Sequence, residues 1–122
     1  MIGTPSQYSP SKLIGPNPPA ELSPGEYFSN LKEGNKIVAS LWVKKYNESY
    51  ILRDVFVLPE ERGKGYGSRL VQGIVDHLKP KDLPIYLYVD PQNKPAVSLY
   101  KNLGFVRIKR ETVYGDKYAY KE

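Results

Sequence analysis

The stretch V-L-P-E-E-R-G-K-G-Y-G-S-R-L, residues 57–70, carries the main evidence for the fold. It leaves an apolar run, passes through Gly63, Gly65 and Gly67, and enters a segment with helical apolar spacing. Glycines let a backbone curl tightly and bring its N–H groups close to an anion. The helix that follows adds unpaired N–H groups and the positive end of its dipole. The stretch therefore predicts an anion-binding loop between a strand and a helix, a pyrophosphate cradle.

Two common phosphate motifs do not fit this loop. A nucleotide P-loop needs G-x-x-x-x-G-K-[ST], and the dinucleotide pattern G-x-G-x-x-G fails because position 68 is Ser. ATP and NAD are therefore disfavoured as ligands. An ordinary basic loop between a strand and a helix is the alternative for this segment taken alone.

Three β-prone runs precede the loop. Residues 27–31 and 36–45, joined by the turn-like residues 32–35, predict a hairpin. Residues 50–58 are nearly all apolar, which predicts a central strand buried on both faces. Strict alternation along this strand gives two faces, Ile51, Arg53 and Val55 against Leu52, Asp54 and Phe56.

Two helices and three strands are predicted after the loop. Residues 68–79 predict a helix ended by Pro80, with one apolar face made of Leu70, Val71, Ile74, Val75 and Leu78. Gly73 costs this helix roughly 1 kcal/mol relative to Ala, which close packing against the sheet would offset. A strand is predicted at residues 85–89 and a short helix, stopped by Gly104, at residues 93–102. Residues 105–112 and 117–120 flank Gly115-Asp116 and predict a closing hairpin.

Composition limits the class of protein. The 122 residues, 40% hydrophobic and 25% charged, fit one domain with one core. The absence of cysteine excludes thiolate metal sites and an acyl-cysteine intermediate, and no metal is expected. No apolar run approaches the roughly 18 residues of a membrane span, and no signal-peptide pattern opens the chain. These observations predict a cytoplasmic protein without membrane contact.

Proline and charge are unevenly distributed. Residues 1–25 hold six of the eleven prolines and show no apolar period, which predicts a mobile or surface-draped arm before a domain at 26–122. Residues 61–122 hold twelve Lys/Arg against seven Asp/Glu, whereas residues 1–60 hold six of each. The net charge of +5 therefore places an anionic partner in the second half. Nucleic acid is disfavoured as that partner because no helix-turn-helix or aromatic RNA-binding signature occurs.

Two signatures resemble those of the GNAT acetyltransferase superfamily. Arg62-x-x-Gly65-x-Gly67 resembles the family's R/Q-x-x-G-x-G/A motif, and N-K-P-A-V-S-L-Y-K-N-L-G-F, residues 93–105, resembles its second motif. The resemblance covers roughly residues 26–121. It implies an α/β (α+β) fold with a mixed, mostly antiparallel sheet flanked by helices. It also implies transfer of an acetyl group from acetyl-CoA directly to an amine.

The resemblance implies a role for each motif residue. Backbone groups of Val55 and Val57 would pair with the pantetheine arm of acetyl-CoA, and Asn93 would hydrogen-bond the same arm. Tyr100 would protonate the departing thiolate, a reasonable task for a phenol held beside a thiol of pKa about 8.5. Core packing is the alternative role for Tyr100. Backbone N–H groups would hold the pyrophosphate at Arg62, Gly63, Lys64, Gly65, Tyr66, Gly67 and Ser68.

The general base is less clearly indicated. An amine must lose a proton before it attacks, and Asp54, Glu60 and Glu61 are the candidates. Asp54 can equally be a structural residue whose carboxylate accepts backbone N–H groups. Some relatives that acetylate polyamines have Glu-Asp where this chain has Arg53-Asp54, and a cation there would repel a polyamine.

The N-terminal part of the chain departs from the family pattern. Family members usually begin with a strand and two helices that form one wall of the acceptor groove, and the proline-rich arm takes that place here. Uncovered strands are adhesive edges, which favours a homodimer. The acceptor is expected to be a small-molecule or peptide amine. The missing wall also keeps a second hypothesis open, a catalytically weak acetyl-CoA-binding or regulatory module.

Overall fold

The computed structural model describes residues 13–14 and 19–121. Residues 1–12, 15–18 and 122, and with them most of the predicted arm, lie outside the described residues. The regular elements are β1 (Leu13–Ile14), β2 (Ala20–Ser23), β3 (Glu26–Glu33), β4 (Lys36–Tyr46), β5 (Ser49–Val57), α1 (Tyr66–Leu78), β6 (Ile85–Val89), α2 (Lys94–Asn102), β7 (Phe105–Thr112) and β8 (Gly115–Tyr120).

The strands form one mixed sheet in the order β1-β3-β4-β5-β6-β8-β7, with β2 also paired to β3. Every pairing is antiparallel except that of β5 with β6. The predicted fold class, the first hairpin and the central position of β5 are therefore confirmed. The predicted element order from residue 26 onward is also confirmed.

The short strands β1 and β2 were not predicted. Ala20–Ser23 is too short and too polar to show a strand period, and it becomes extended because it pairs with the edge of β3. Part of the predicted arm thus extends the sheet. No helix in the described part of the chain has the length and apolar character needed to cross a membrane.

One helix covers one face of the central sheet. α1 lies against β3, β4 and β5, and its predicted apolar stripe is buried as a whole, Leu70, Val71, Ile74, Val75 and Leu78. α2 packs against β7 and touches α1. The uncovered face of β3 to β5 carries Phe28 and Trp42, whose ring centroids lie 4.6 Å apart.

The prediction that β5 is buried on both faces is wrong. Arg53 and Asp54 are exposed, and 46% of Phe56 is accessible to solvent. Residues from Tyr50 to Leu52 pack into the sheet, but the second half of the strand has helix cover on one side only. The apolar run therefore predicted the strand correctly but not its burial, because one face of its second half is exposed.

The prediction of strict alternation along β5 is also wrong, because the strand contains a β-bulge. Two steps along β4 match three steps along β5, as shown by the pairs Ser40 with Phe56 and Trp42 with Arg53. Asp54 has a φ of +55°, a left-handed conformation that Asp tolerates better than most residues. The extra residue reverses the side-chain phase, so that Val55 packs against the same core as Leu52.

The last hairpin turns two residues earlier than predicted. Val113 and Tyr114 form the turn, and Gly115 and Asp116 already belong to β8. Gly115 has a φ of +104°, and a Cβ there would lie 2.7 Å from the carbonyl oxygen of Val89. Asp116 is buried and accepts the backbone N–H of Glu111 at 2.8 Å. These residues therefore secure the hairpin to β6 instead of forming its tip.

Gly73 does not pack closely against the sheet, so the prediction that packing offsets its helical cost is wrong. The residue is exposed, and a Cβ added to it would meet nothing within 4 Å. Its helical cost relative to Ala therefore has no packing compensation.

We expect Gly73→Ala to raise the free energy of unfolding by about 0.5–1 kcal/mol, because Ala has less conformational entropy to lose and no clash to create. Chemical denaturation measures the change. Gly115→Ala is the control, since its Cβ would overlap the Val89 carbonyl, and it should lose at least about 1 kcal/mol. A destabilised Gly73→Ala would contradict the prediction.

Candidate active site

A cleft opens where β5 and β6 diverge. The two strands pair in parallel only at Tyr50 with Ile85, Ile51 with Tyr86 and Leu52 with Leu87. Beyond Leu52 the bulge at Asp54 turns β5 away from its neighbour. The resulting cleft has a volume of about 650 Å³, within the range of small-molecule sites.

The backbone of β5 beyond the bulge directs polar groups into this cleft. The Leu58 N–H donates to the Val38 carbonyl oxygen at 2.9 Å, so Leu58 faces β4. Backbone direction alternates along a strand, and Val55 and Val57 therefore face the side of β6. The Val57 carbonyl accepts Arg62 Nε at 3.0 Å. Val55, which lies past the last residue paired with β6, presents its N–H and carbonyl on the cleft wall.

The cleft brings four of the predicted site residues together: Asp54, Val55, Asn93 and Tyr100. The predicted anion loop lies further along the chain, beyond the end of β5, and its residues do not line this cleft. The predicted site is therefore divided into a cleft between two strands and a loop at the start of α1.

Tyr100 combines the two roles that the sequence left open. Only 8% of the residue is accessible, and its ring meets Phe105 edge-on with centroids 6.0 Å apart. It also lines the cleft. Burial raises the pKa of the Tyr100 phenol above its ordinary value, so the hydroxyl keeps its proton at neutral pH. The residue is thus a core aromatic with a protonated hydroxyl that also forms part of the cleft wall.

Asn93 begins α2 as its N-cap. Its side-chain oxygen accepts the Ala96 N–H at 3.3 Å, and Pro95 follows in the first turn. The capping bond uses the amide oxygen and fixes the side chain at the cleft wall. The amide N–H groups of the side chain are not used by this cap, and Asn93 is one of the residues that line the cleft.

The glycine loop has the geometry of an anion cradle. Gly63 and Gly65 have φ values of +83° and +82°, and the residue between them does not share this left-handed conformation. Such alternation turns successive N–H groups toward one side. The first intrahelical bond here is from Arg69 N–H to the Gly65 carbonyl at 3.1 Å, so earlier N–H groups of α1 have no helical acceptor. A Cβ at either glycine would meet nothing within 4 Å, so this side of the loop is open.

Ion pairs anchor the cradle to the sheet. Glu61, 6% exposed, lies 2.8 Å from Lys64 Nζ and 3.7 Å from Lys36 Nζ. Glu60 pairs with Lys36 at 3.2 Å on the surface. The two glutamates considered as general bases therefore lie in an ionic network beside the loop and away from the cleft. Sequence reasoning missed this structural role because Lys36 is remote in the chain.

Several cleft residues escaped the sequence analysis. Asp90 follows β6, and Tyr46, Tyr88 and Tyr114 surround the opening. Tyr114, in the last hairpin turn, meets Tyr88 with ring centroids 5.5 Å apart. The three tyrosines were signalled in the sequence only by its richness in tyrosine, eleven residues in all, and Asp90 belonged to no motif. These residues come from four separate elements, which only the sheet order brings together.

The fold and site define an α+β domain whose central sheet is split between β5 and β6, with a glycine loop at the start of α1. The sequence model described as "Acetyltransferase (GNAT) family" matches residues 5–105. The chain therefore belongs to the GNAT acetyltransferase family, which confirms the resemblance recognised in the sequence.

The chain matches only part of the length of its relatives. A mycothiol acetyltransferase of Thermobifida fusca is 33% identical over 105 residues, which cover 77% of this chain and 32% of that protein. A mycothiol acetyltransferase of Streptomyces coelicolor is 35% identical over 97 residues, covering 76% of this chain and 31% of that protein. The chain thus spans about a third of the length of these relatives.

Solved structures share the fold at lower identity. An N-acetyltransferase, PaiA, of Thermoplasma acidophilum in complex with coenzyme A has a TM-score of 0.72 and 20% identity, covering 80% of this chain and 62% of that one. A putative streptothricin acetyltransferase of Bacillus anthracis in complex with acetyl coenzyme A has a TM-score of 0.73 and 20% identity, covering 83% and 65%.

The raised pKa of Tyr100 predicts a loss of stability at alkaline pH. The folded state holds the phenolic proton more tightly than the unfolded chain, so the free energy of unfolding falls as the pH rises above about 10. We expect the melting temperature of the wild type to fall more steeply than that of Tyr100→Phe between about pH 9.5 and 11.5. Tyr27, Tyr50 and Tyr66 also have raised pKa values and contribute equally to both proteins. Equal falls in melting temperature for the two proteins would contradict a raised pKa at Tyr100.

Proposed function

We propose that this chain is an N-acetyltransferase that moves an acetyl group from acetyl-CoA to an amine. The observation that carries the proposal is the cleft itself. Val55, Tyr100 and Asp54 line one cavity, and they bring to it unpaired backbone groups, a protonated phenol and a carboxylate. The anion cradle at Gly63 and Gly65 lies where β5 ends and α1 begins.

The chain's residues fit acetyl-CoA at both ends. The cradle offers N–H groups from Arg62 to Ser68 to the pyrophosphate, with the positive end of α1 behind them. The Val55 N–H and carbonyl supply a strand-like hydrogen-bonding edge for the pantetheine amides. Asn93 donates from its side-chain amide, and Val57 contributes its N–H because its carbonyl is held by Arg62.

The chemistry requires one bond to form and one to break. The amine nitrogen attacks the thioester carbonyl carbon, a C–N bond forms, and the C–S bond breaks. Tyr100 donates its phenolic proton to the departing sulfur and regains one from solvent. Its buried ring fixes the direction of the hydroxyl, which a surface tyrosine would not do.

Asp54 accepts the proton that the amine releases, directly or through a water chain. The bulge exposes this carboxylate at the cleft wall, and no described residue forms an ion pair with it. The left-handed backbone at Asp54 is also compatible with the structural role considered from the sequence. The base assignment rests on position in the cleft, which Glu60 and Glu61 lack.

A small-molecule or peptide amine is the proposed acceptor class. The relatives named for mycothiol acetylation and the neighbours named for N-acetyl transfer support acetyl transfer to small molecules. A cytoplasmic location and a homodimer stay predictions of the same proposal. A catalytically weak acetyl-CoA-binding module is the competing function, since the chain spans about a third of those relatives.

Gly65→Asp should weaken acetyl-CoA binding by at least about 10-fold, because it places a negative charge in the cradle. Gly65→Asn is the matched control. It has the same size and also tolerates a left-handed φ, so its loss of affinity should be several-fold smaller. Isothermal calorimetry with both folded variants gives the comparison. Equal losses would mean that the side chain, not its charge, disturbs binding.

Release of free thiol from acetyl-CoA, measured across a panel of amines, tests the function itself. Tyr100→Phe should lower turnover by roughly 10²-fold while acetyl-CoA affinity stays within a few-fold. Tyr100→Ala should also lose about 3–5 kcal/mol of stability, because it removes a buried ring. Full activity of Tyr100→Phe would exclude the acid role, and tight binding without thiol release for any amine would favour the non-catalytic module.

A further inference from the structure

Arg53 is a positive charge in the cleft that the proposed chemistry does not use. It is exposed, lines the cleft, and takes part in none of the ion pairs among the described residues. It directly precedes the bulge and pairs across the strand with Trp42 of β4. Arg53 follows the buried Leu52 and is paired with the exposed Trp42, so its side chain lies on the face of the sheet away from α1.

The charged side chains of the cleft are of both signs. Of its lining residues, Arg53 is basic, whereas Asp54 and Asp90 are acidic. One Asp90 oxygen accepts the Gln92 N–H at 2.9 Å, and neither carboxylate forms an ion pair with a described cation. The cleft thus offers acidic groups for an ammonium and a guanidinium for an oxyanion.

The position of Arg53 assigns it to the acceptor and not to acetyl-CoA. Three residues separate it from Val57, a span of at most about 13 Å along β5, and the cradle lies beyond Val57. Direct contact with a pyrophosphate held in the cradle is therefore excluded for Arg53. The exposed Tyr46 and Tyr114 lie at the same opening, where an acceptor would enter.

We propose that the acceptor is an amine that also carries an oxyanion, a carboxylate or a phosphate, and that Arg53 binds this group. The inference rests on the proposed function and names its substrate class. A guanidinium recognises such an oxyanion through paired hydrogen bonds. The ammonium, which loses a proton before attack, lies between Asp54 and Asp90. A polyamine offers two or more cations and no partner for Arg53, and is therefore a poor acceptor.

Matched acceptor pairs test this inference. Each pair differs by one oxyanion: L-phenylalanine against phenethylamine, β-alanine against ethylamine, and O-phosphoethanolamine against ethanolamine. Calorimetry measures binding of each N-acetylated compound to the full chain with CoA present, which removes differences in amine basicity. Thiol release measures turnover of the free amines. The third pair distinguishes a phosphate from a carboxylate as the preferred oxyanion.

We expect the anionic member of at least one pair to bind about 10-fold more tightly than its neutral partner. Arg53→Gln should bring that ratio close to 1, and Arg53→Lys should retain part of it. Arg110→Gln is the matched control, since Arg110 is exposed on β7 and does not line the cleft. This control removes the same charge and should keep the full ratio.

The outcomes separate this inference from the proposed function. The oxyanion inference is overturned if no pair shows tighter binding of its anionic member, whether because both members bind equally or because neither binds measurably. It is also overturned if folded Arg53→Gln keeps the full preference for the anionic member. Equal turnover of both members of each pair would retain the acetyltransferase and reject the oxyanion. An Arg53-dependent binding ratio without turnover would retain the oxyanion site and reject the acetyltransferase.

Discussion

The β-bulge at Asp54 is the local constraint on which the site depends. One extra residue in β5 shifts the pairing with β4 and reverses the side-chain phase of the strand. Pairing with β6 stops at Leu52, and the cleft opens beyond it. The bulge residue itself exposes a carboxylate, and the Val55 backbone beyond it has no strand partner in β6. A left-handed φ at a non-glycine position is a local cost of a kind often found at functional sites.

The two halves of the site are connected through β5. Its backbone forms the cleft wall, and the chain that leaves it becomes the glycine loop. Arg62 binds back to the Val57 carbonyl at 3.0 Å, and its guanidinium lies 5.9 Å from the centre of the Phe56 ring. The buried Glu61 links Lys64 in the loop with Lys36 on β4. These contacts fix the position of the loop relative to the cleft, which the proposed binding of acetyl-CoA by both parts requires.

Local sequence patterns were sufficient to predict the buried face of α1 and the ends of α2. The stripe of α1 repeats at helical spacing, and all five residues are buried. Asn93 and Gly104 delimit α2 because a cap and a glycine stop act within a few residues. The errors arose where distant chain segments decided the conformation. β2 is a strand because β3 offers an edge, and Gly115 lies inside β8 because the Val89 backbone packs against it.

The family, the glycine loop and the order of strands and helices from residue 26 onward could be predicted from the sequence, because motif spacing and hydrophobic period are local properties of the chain. The sequence also predicted site roles for Asp54 and Val55 on the central strand and for Asn93 and Tyr100 in the second motif. Only the tertiary structure decided which side chains share the cleft. Asp90 reaches it because β6 pairs with β5, and Tyr114 because β8 pairs with β6; both are consequences of long-range pairing. The phase reversal at Asp54 was likewise invisible, because a bulge is defined by the register between two strands and not by either strand alone.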